Sequence, residues 1–108
     1  DIPSFFVKNA LAYMEENYAQ KLTLGLVAEK TYVSQWHLSK LLNRHEGRNF
    51  SEILNQIRVE HAKELLKEMQ LRIADISEMA GFTDVAHFSR VFKKLEGLSA
   101  NEYRNTKL

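Results

Sequence analysis

The stretch Gly81 to Arg104, GFTDVAHFSRVFKKLEGLSANEYR, has an earlier counterpart in the same chain. Fifty positions back, His37 stands for His87, Leu38 for Phe88, Ser39 for Ser89, Lys40 for Arg90, Leu41 for Val91 and Leu42 for Phe92. The ends repeat with the side chains. Glu46-Gly47 matches Glu96-Gly97, and Asn49 with Glu52 matches Ser99 with Glu102. Side-chain class, helix stop and capping box recur together, so the chain carries an internal duplication of one helical unit. Upstream of position 37 the register slips by one, since Val33 lies five residues before Leu38 and Phe82 six before Phe88. One inserted turn residue accounts for it.

Each copy reads as two short helices joined by a tight turn. In the second, a helix ends near Ala80 at Gly81, and another starts after Asp84, whose carboxylate can accept a backbone N–H at the N-cap. Phe88, Phe92 and Leu95 form its apolar stripe, and Gly97 ends it. Ser99 and Glu102 then have capping-box spacing for a further helix. In the first copy Thr23 caps a helix through Ala28, Thr31-Tyr32-Val33 is the turn, and Ser34 caps a helix to about His45 with Leu38, Leu41 and Leu42 inward. A short helix, a turn and a second helix with a basic outer face is the layout of a helix-turn-helix. Before the first copy, Pro3 and Ser4 open a helix striped by Val7, Leu11, Met14 and Tyr18. Between the copies one long helix, from Phe50 to about Met69, is striped by Phe50, Ile53, Leu54, Ile57, Ala62, Leu65, Leu66 and Met69. At about 1.5 Å per residue it spans roughly 30 Å. No stretch reads as a flexible linker, so rigid coupling of the two modules is expected, and Gln70 to Arg72 is the place where a hinge would break it. The expected organisation is a first helix-turn-helix over about 5–48, a linker helix over about 50–69 and a second helix-turn-helix over about 72–105.

Composition narrows the class. Four glycines and one proline in 108 residues favour an almost wholly helical chain. With no cysteine there is no disulfide framework, which fits a reducing cytoplasm. No apolar run approaches the roughly 20 residues of a membrane helix, and no stretch of these residues reads as a signal peptide. A start at Asp1 rather than Met points to an excised fragment of a longer protein. The net charge is only +1, so any nucleic-acid binding must rest on where charge is placed.

Trp36 lies two residues before Leu38, about 200° round the helix at 100° per residue, and so points away from the buried stripe. An outward indole near a helix N-terminus suits contact with a thymine methyl. Lys40 and Arg90 occupy equivalent outer positions, where a guanidinium can bond bidentately to guanine O6 and N7 and an ammonium acts as a point charge. Gln35, Ser39, Asn43, Asp84, Val85, Ala86 and His87 are further candidates for base contact. Arg44, Arg48, Lys93 and Lys94 are candidates for phosphate contact, a role Asn43 also suits. The four histidines fail a metal test: His45-Glu46 opens like His-Glu-x-x-His, but Asn49 stands where the second ligand belongs. No phosphate loop or nucleophile elbow is present, so the chain is read as non-enzymatic and without cofactor.

GFTDVAHFSRVFKK followed by EGLSANEYR, together with VSQWHLSKLL, Gly47, Phe50, Arg58, Ala62 and Leu65-Leu66, resembles the DNA-binding domain of the AraC/XylS family of bacterial transcription regulators. The resemblance covers about residues 20–105. It implies an all-α fold of seven helices, with two helix-turn-helix subdomains joined by the linker helix and two recognition helices in adjacent major-groove segments. The family's base-contacting positions fall on Trp36, Ser39 and Lys40 in the first module and on Val85, Ala86, His87 and Arg90 in the second. It also implies a cytoplasmic regulator with double-stranded DNA and RNA polymerase as partners, no membrane association, and a separate sensing, receiver or dimerisation domain upstream. The sequence departs from the pattern in two places: Ala100 replaces a common proline, and Val85-Ala86 is apolar where polar readers often stand. The competing function is a helical protein-interaction module, for example one contacting RNA polymerase, with weak or no DNA specificity. Salt dependence separates the two, because phosphate contacts weaken steeply with added salt.

Overall fold

The structure, a computed structural model, describes all of residues 1–108. It is all-α with seven helices: α1 (Ile2–Asn17), α2 (Leu24–Lys30), α3 (Gln35–Glu46), α4 (Phe50–Leu65), α5 (Ile73–Met79), α6 (Val85–Glu96) and α7 (Ala100–Lys107). The chain divides into two compact units, Asp1–Leu54 and Asn55–Leu108, and α4 supplies residues to both. No helix is long and apolar enough to cross a membrane.

In the first unit, helix starts follow local chemistry. Asp1 Oδ1 accepts from Ser4 N at 2.9 Å and Thr23 Oγ1 from Leu26 N at 3.1 Å, so α1 begins slightly earlier than Pro3 suggests. The core gathers Val7, Ala10 and Met14 of α1, Val27 and Ala28 of α2, and Leu38, Leu41 and Leu42 of α3. Ile53 and Leu54 of α4 are buried too. Leu11 and Tyr18, expected in the α1 stripe, are only partly covered, and the small Ala10 takes the fully buried place.

The second unit is built on aromatics. Phe82, Phe88, Phe92 and Tyr103 stack in series with centroid separations of 5.1, 5.7 and 5.6 Å. Val59, Ala62, Leu66, Ile76, Ala80 and Ala100 close around them. Val59 was absent from the expected stripe but is wholly buried. Leu95, expected in the α6 stripe, is 39% exposed and not core; it lies in the last turn of α6, just before Gly97 ends the helix.

The duplication is visible in the backbone. Val33 N donates to Ala28 O at 3.1 Å, and Phe82 N donates to Ser77 O at 3.0 Å, the same bond in each turn. Asp84 caps α6 as Ser34 caps α3, so Thr83 is the extra residue behind the register slip. Reciprocal capping boxes open α4, between Asn49 and Glu52, and α7, between Ser99 and Glu102.

The linker helix is shorter than its sequence suggests. It ends at Leu65, not near Met69, which is 61% exposed. Sixteen residues give about 24 Å. Beyond Leu65 the chain tightens into turns that bond three residues back, Lys67 N to Glu64 O and Glu68 N to Leu65 O. The freed carbonyls find a distant donor in Arg104. Its Nε donates to Leu66 O at 3.0 Å, Nη2 to Glu68 O at 3.1 Å and Nη1 to Leu71 O at 2.8 Å. The turn that leads into Gln70 to Arg72 is therefore tied to α7. It is also bounded by Arg72 N donating to Asp75 Oδ2 at 3.0 Å at the start of α5.

Candidate nucleic-acid interface

α3 and α6 occupy equivalent places, each the second helix of its helix-turn-helix. Ser34 Oγ accepts from His37 N at 3.1 Å, fixing the start of α3. Leu38, Leu41 and Leu42 turn inward, so Gln35, Trp36, Lys40, Asn43 and Arg44 are left exposed, with Ser39 half-buried. Trp36 is 68% exposed, as its helical phase requires. Lys40 Nζ lies 4.3 Å from the centre of its ring, so two candidate base-contacting residues touch each other. Three candidates are partly engaged elsewhere. Asn43 Nδ2 donates back to Ser39 O at 2.9 Å, and half-buried Arg48 lies 3.9 Å from Glu46. Gln35 leans over α2, where a Cβ added to Gly25 would come within 3.0 Å of its Oε1.

On α6, Asp84 Oδ1 accepts from His87 N at 2.7 Å, which occupies that carboxylate with capping. Phe88 and Phe92 are fully buried, and Val85, Ala86, Arg90, Lys93 and Lys94 are exposed. His87 is half-buried with its ring edge-on to Phe82 at 5.6 Å. His37 meets Phe6 in the same manner at 6.2 Å. The duplicated histidine thus packs against an aromatic in each unit.

Ion pairing separates the cations of these two helices from several others. Lys63 reaches Glu96 at 3.2 Å and Glu60 at 3.4 Å, Lys67 reaches Glu64 at 2.6 Å, and Arg72 reaches Asp75 at 3.5 Å. Lys40, Arg44, Arg90, Lys93 and Lys94 enter no ion pair. α3 and α6 hold these five cations against two carboxylates, leaving ten against twelve for the rest of the chain. The near-neutral total therefore conceals a local positive excess on the two exposed helix faces.

Other residues hold α6 in its unit. Burial acts to lower the Lys63 ammonium, but hydrogen bonding to Glu96 and the charge of Glu60 outweigh it and hold its pKa above the ordinary value. That pair links α4 to the end of α6. Arg58 lies over the Phe82 ring at 5.9 Å, and burial pulls its pKa below the ordinary value. Glu102 is held below the usual carboxylate range chiefly by the backbone N–H of Ser99. Arg104 is the main supporting residue that sequence patterning did not single out, because its partners lie 33 to 38 positions away. No three His, Asp or Glu side chains gather in a metal-binding group.

A family model described as a helix-turn-helix domain matches residues 27–106. A solved structure, the C-terminal domain of AraT, a response regulator from Geobacillus stearothermophilus, is 39% identical with a TM-score of 0.88, covering 94% of this chain and 84% of that one. A transcriptional regulator of Chromobacterium violaceum, titled as containing an AraC-type DNA-binding domain, shares the fold at a TM-score of 0.90 and 24% identity over 96% of this chain and 93% of that one. The chain belongs to the AraC family of transcription regulators. Among curated relatives of this AraC-family chain, the uncharacterized HTH-type transcriptional regulator YijO of Escherichia coli is 40% identical over 92 residues, which is 85% of this chain and 32% of that protein. The chain spans about a third of the length of the curated relatives it matches. It is a DNA-binding, double helix-turn-helix domain of this family.

Proposed function

We propose that the chain is the non-enzymatic DNA-reading part of a bacterial transcription regulator, with α3 and α6 each entering a major-groove segment of its operator. The observation that carries this reading is the pair of equivalent, unpaired cations, Lys40 and Arg90, on the exposed faces of two capped helices. Trp36 and Lys40, with Ser39 and Gln35 beside them, contact base edges from α3, and Arg90 with Val85, Ala86 and the exposed edge of His87 does so from α6. Arg44, Lys93 and Lys94, with Asn43 and Arg48 at the helix end, bind phosphates and set the register. The helix-turn-helix modules take residues of about 5–48 and 72–105. The full-length protein works in the cytoplasm, engages RNA polymerase at its promoters, and carries its sensing, receiver or dimerisation function in a separate domain.

Selection of binding sites from a random duplex library, followed by titration of the selected duplex at two salt concentrations, tests the reading. The expected result is an enriched site bound with a clear salt slope. Arg90→Ala and Lys40→Ala should each weaken that site by about 1 to 3 kcal/mol while leaving helical content unchanged. Unaltered affinity in both variants would remove α3 and α6 as the reading helices.

A further inference from the structure

Lys40 does not project freely from α3. Its ammonium rests 4.3 Å from the centre of the Trp36 ring, one helical turn earlier, and both side chains are exposed. A cation over an indole face is held by the quadrupole of the ring, and such a contact at an exposed site changes an equilibrium by about two- to fivefold. A lysine stem otherwise samples many rotamers, all but a few of which are lost when the ammonium meets one acceptor. Ring and ammonium together form a short two-part surface, one part apolar and the other a hydrogen-bond donor. Their 4.3 Å separation is close to the roughly 3.4 Å rise between neighbouring base pairs. In the major groove the matching surface is a thymine C5-methyl beside a guanine, whose O6 and N7 accept hydrogen bonds.

We infer that Trp36 is a positioning residue for Lys40, and that the pair reads one thymine-guanine step as a single coupled element rather than as two independent contacts. This rests on the DNA-binding reading above and adds to it the base step and the dependence of one reader on the other. The second unit lacks the device. Ala86 stands at the position equivalent to Trp36, so Arg90 has no ring beneath it and acts alone.

The test uses the 108-residue chain and the duplex selected as above. In that duplex guanine is replaced by adenine, and thymine by deoxyuridine, which lacks the methyl group. For the parent chain, the guanine replacement at the Lys40-dependent position should cost about tenfold in affinity. Trp36→Leu should cut that cost by about two- to fivefold, the share supplied by the ring. Trp36→Phe should restore most of it, because phenylalanine also presents a π face. Lys40→Met should abolish it, with the Trp36→Leu, Lys40→Met double variant losing no more guanine discrimination than Lys40→Met alone. The base whose deoxyuridine replacement is felt through Trp36 should adjoin that guanine. A guanine cost that survives Trp36→Leu undiminished but disappears in Lys40→Met overturns the positioning role and leaves the DNA-binding reading standing. A thymine and guanine that are not neighbours, or no Lys40-dependent guanine, overturn the coupled step. Failure to select any duplex sinks both readings together.

Discussion

Tyr32 has φ of +60° at the turn between α2 and α3, where Gly81 of the second copy sits at +96°. A side chain in this left-handed region costs roughly 1 to 2 kcal/mol, and asparagine tolerates it better than tyrosine. Tyr32 is 91% exposed, so little packing offsets the strain. Tyr32→Asn should accordingly raise stability by about 0.5 to 1 kcal/mol, read as a higher urea midpoint at unchanged slope. A lower midpoint would show that the ring is held by a contact. The position of this turn was legible in Thr31-Tyr32-Val33, but its strain was not, because tyrosine carries none of the turn signals of glycine or asparagine. Trp36 was legible for the opposite reason: helical phase alone sends it outward, and nothing tertiary intervenes. Leu95 shares the phase of Phe88 but lies where neighbouring helices no longer cover α6, so phase was insufficient there.

Most helix starts were readable because their caps are local. Ser34, Asp84, Asn49 and Ser99 each bond within three residues, a distance the sequence displays directly. The end of α4 was not readable, because its stop lies in α7. No glycine or proline interrupts residues 50–69, and the carbonyls released after Leu65 are satisfied by Arg104. Arg104→Lys keeps the charge but cannot span three carbonyls with one ammonium. It should cost about 1 to 3 kcal/mol in unfolding free energy, and a wild-type urea midpoint would dismiss the clamp. The α7 capping box makes a pH-dependent contribution. The folded-state pKa of Glu102 is depressed, so the stability it adds is present above its unfolded pKa and lost as pH falls through the folded value. Glutamine keeps the box without the charge. Parent chain and Glu102→Gln should therefore differ in melting temperature at neutral pH and converge in acid. A difference constant down to about pH 3 would contradict this.

For the molecule as a whole, the all-α class and the duplicated helix-turn-helix were carried by the fifty-residue repeat, which fixes side-chain class and stops together. The net charge of +1 was the misleading quantity, since it does not show that Lys93 and Lys94 enter no ion pair while Lys63 and Lys67 do, and pairing is settled only by folding. This difference predicts salt behaviour. Lys93→Ala or Lys94→Ala should lower the slope of log affinity against log salt by about one, whereas Lys67→Ala, which removes a lysine paired with Glu64, should leave it unchanged. Equal slopes in all three would mean that pairing does not select the phosphate-binding cations. The Arg104 clamp carries a consequence for biosynthesis. The turn that ends α4 is translated more than thirty residues before the side chain that satisfies its carbonyls. A nascent chain that has just emerged through α6 holds every residue of its second reading helix but not the group that secures the turn behind it. In order of synthesis, the turn behind α4 is therefore secured only once α7 has followed α6 out of the ribosome.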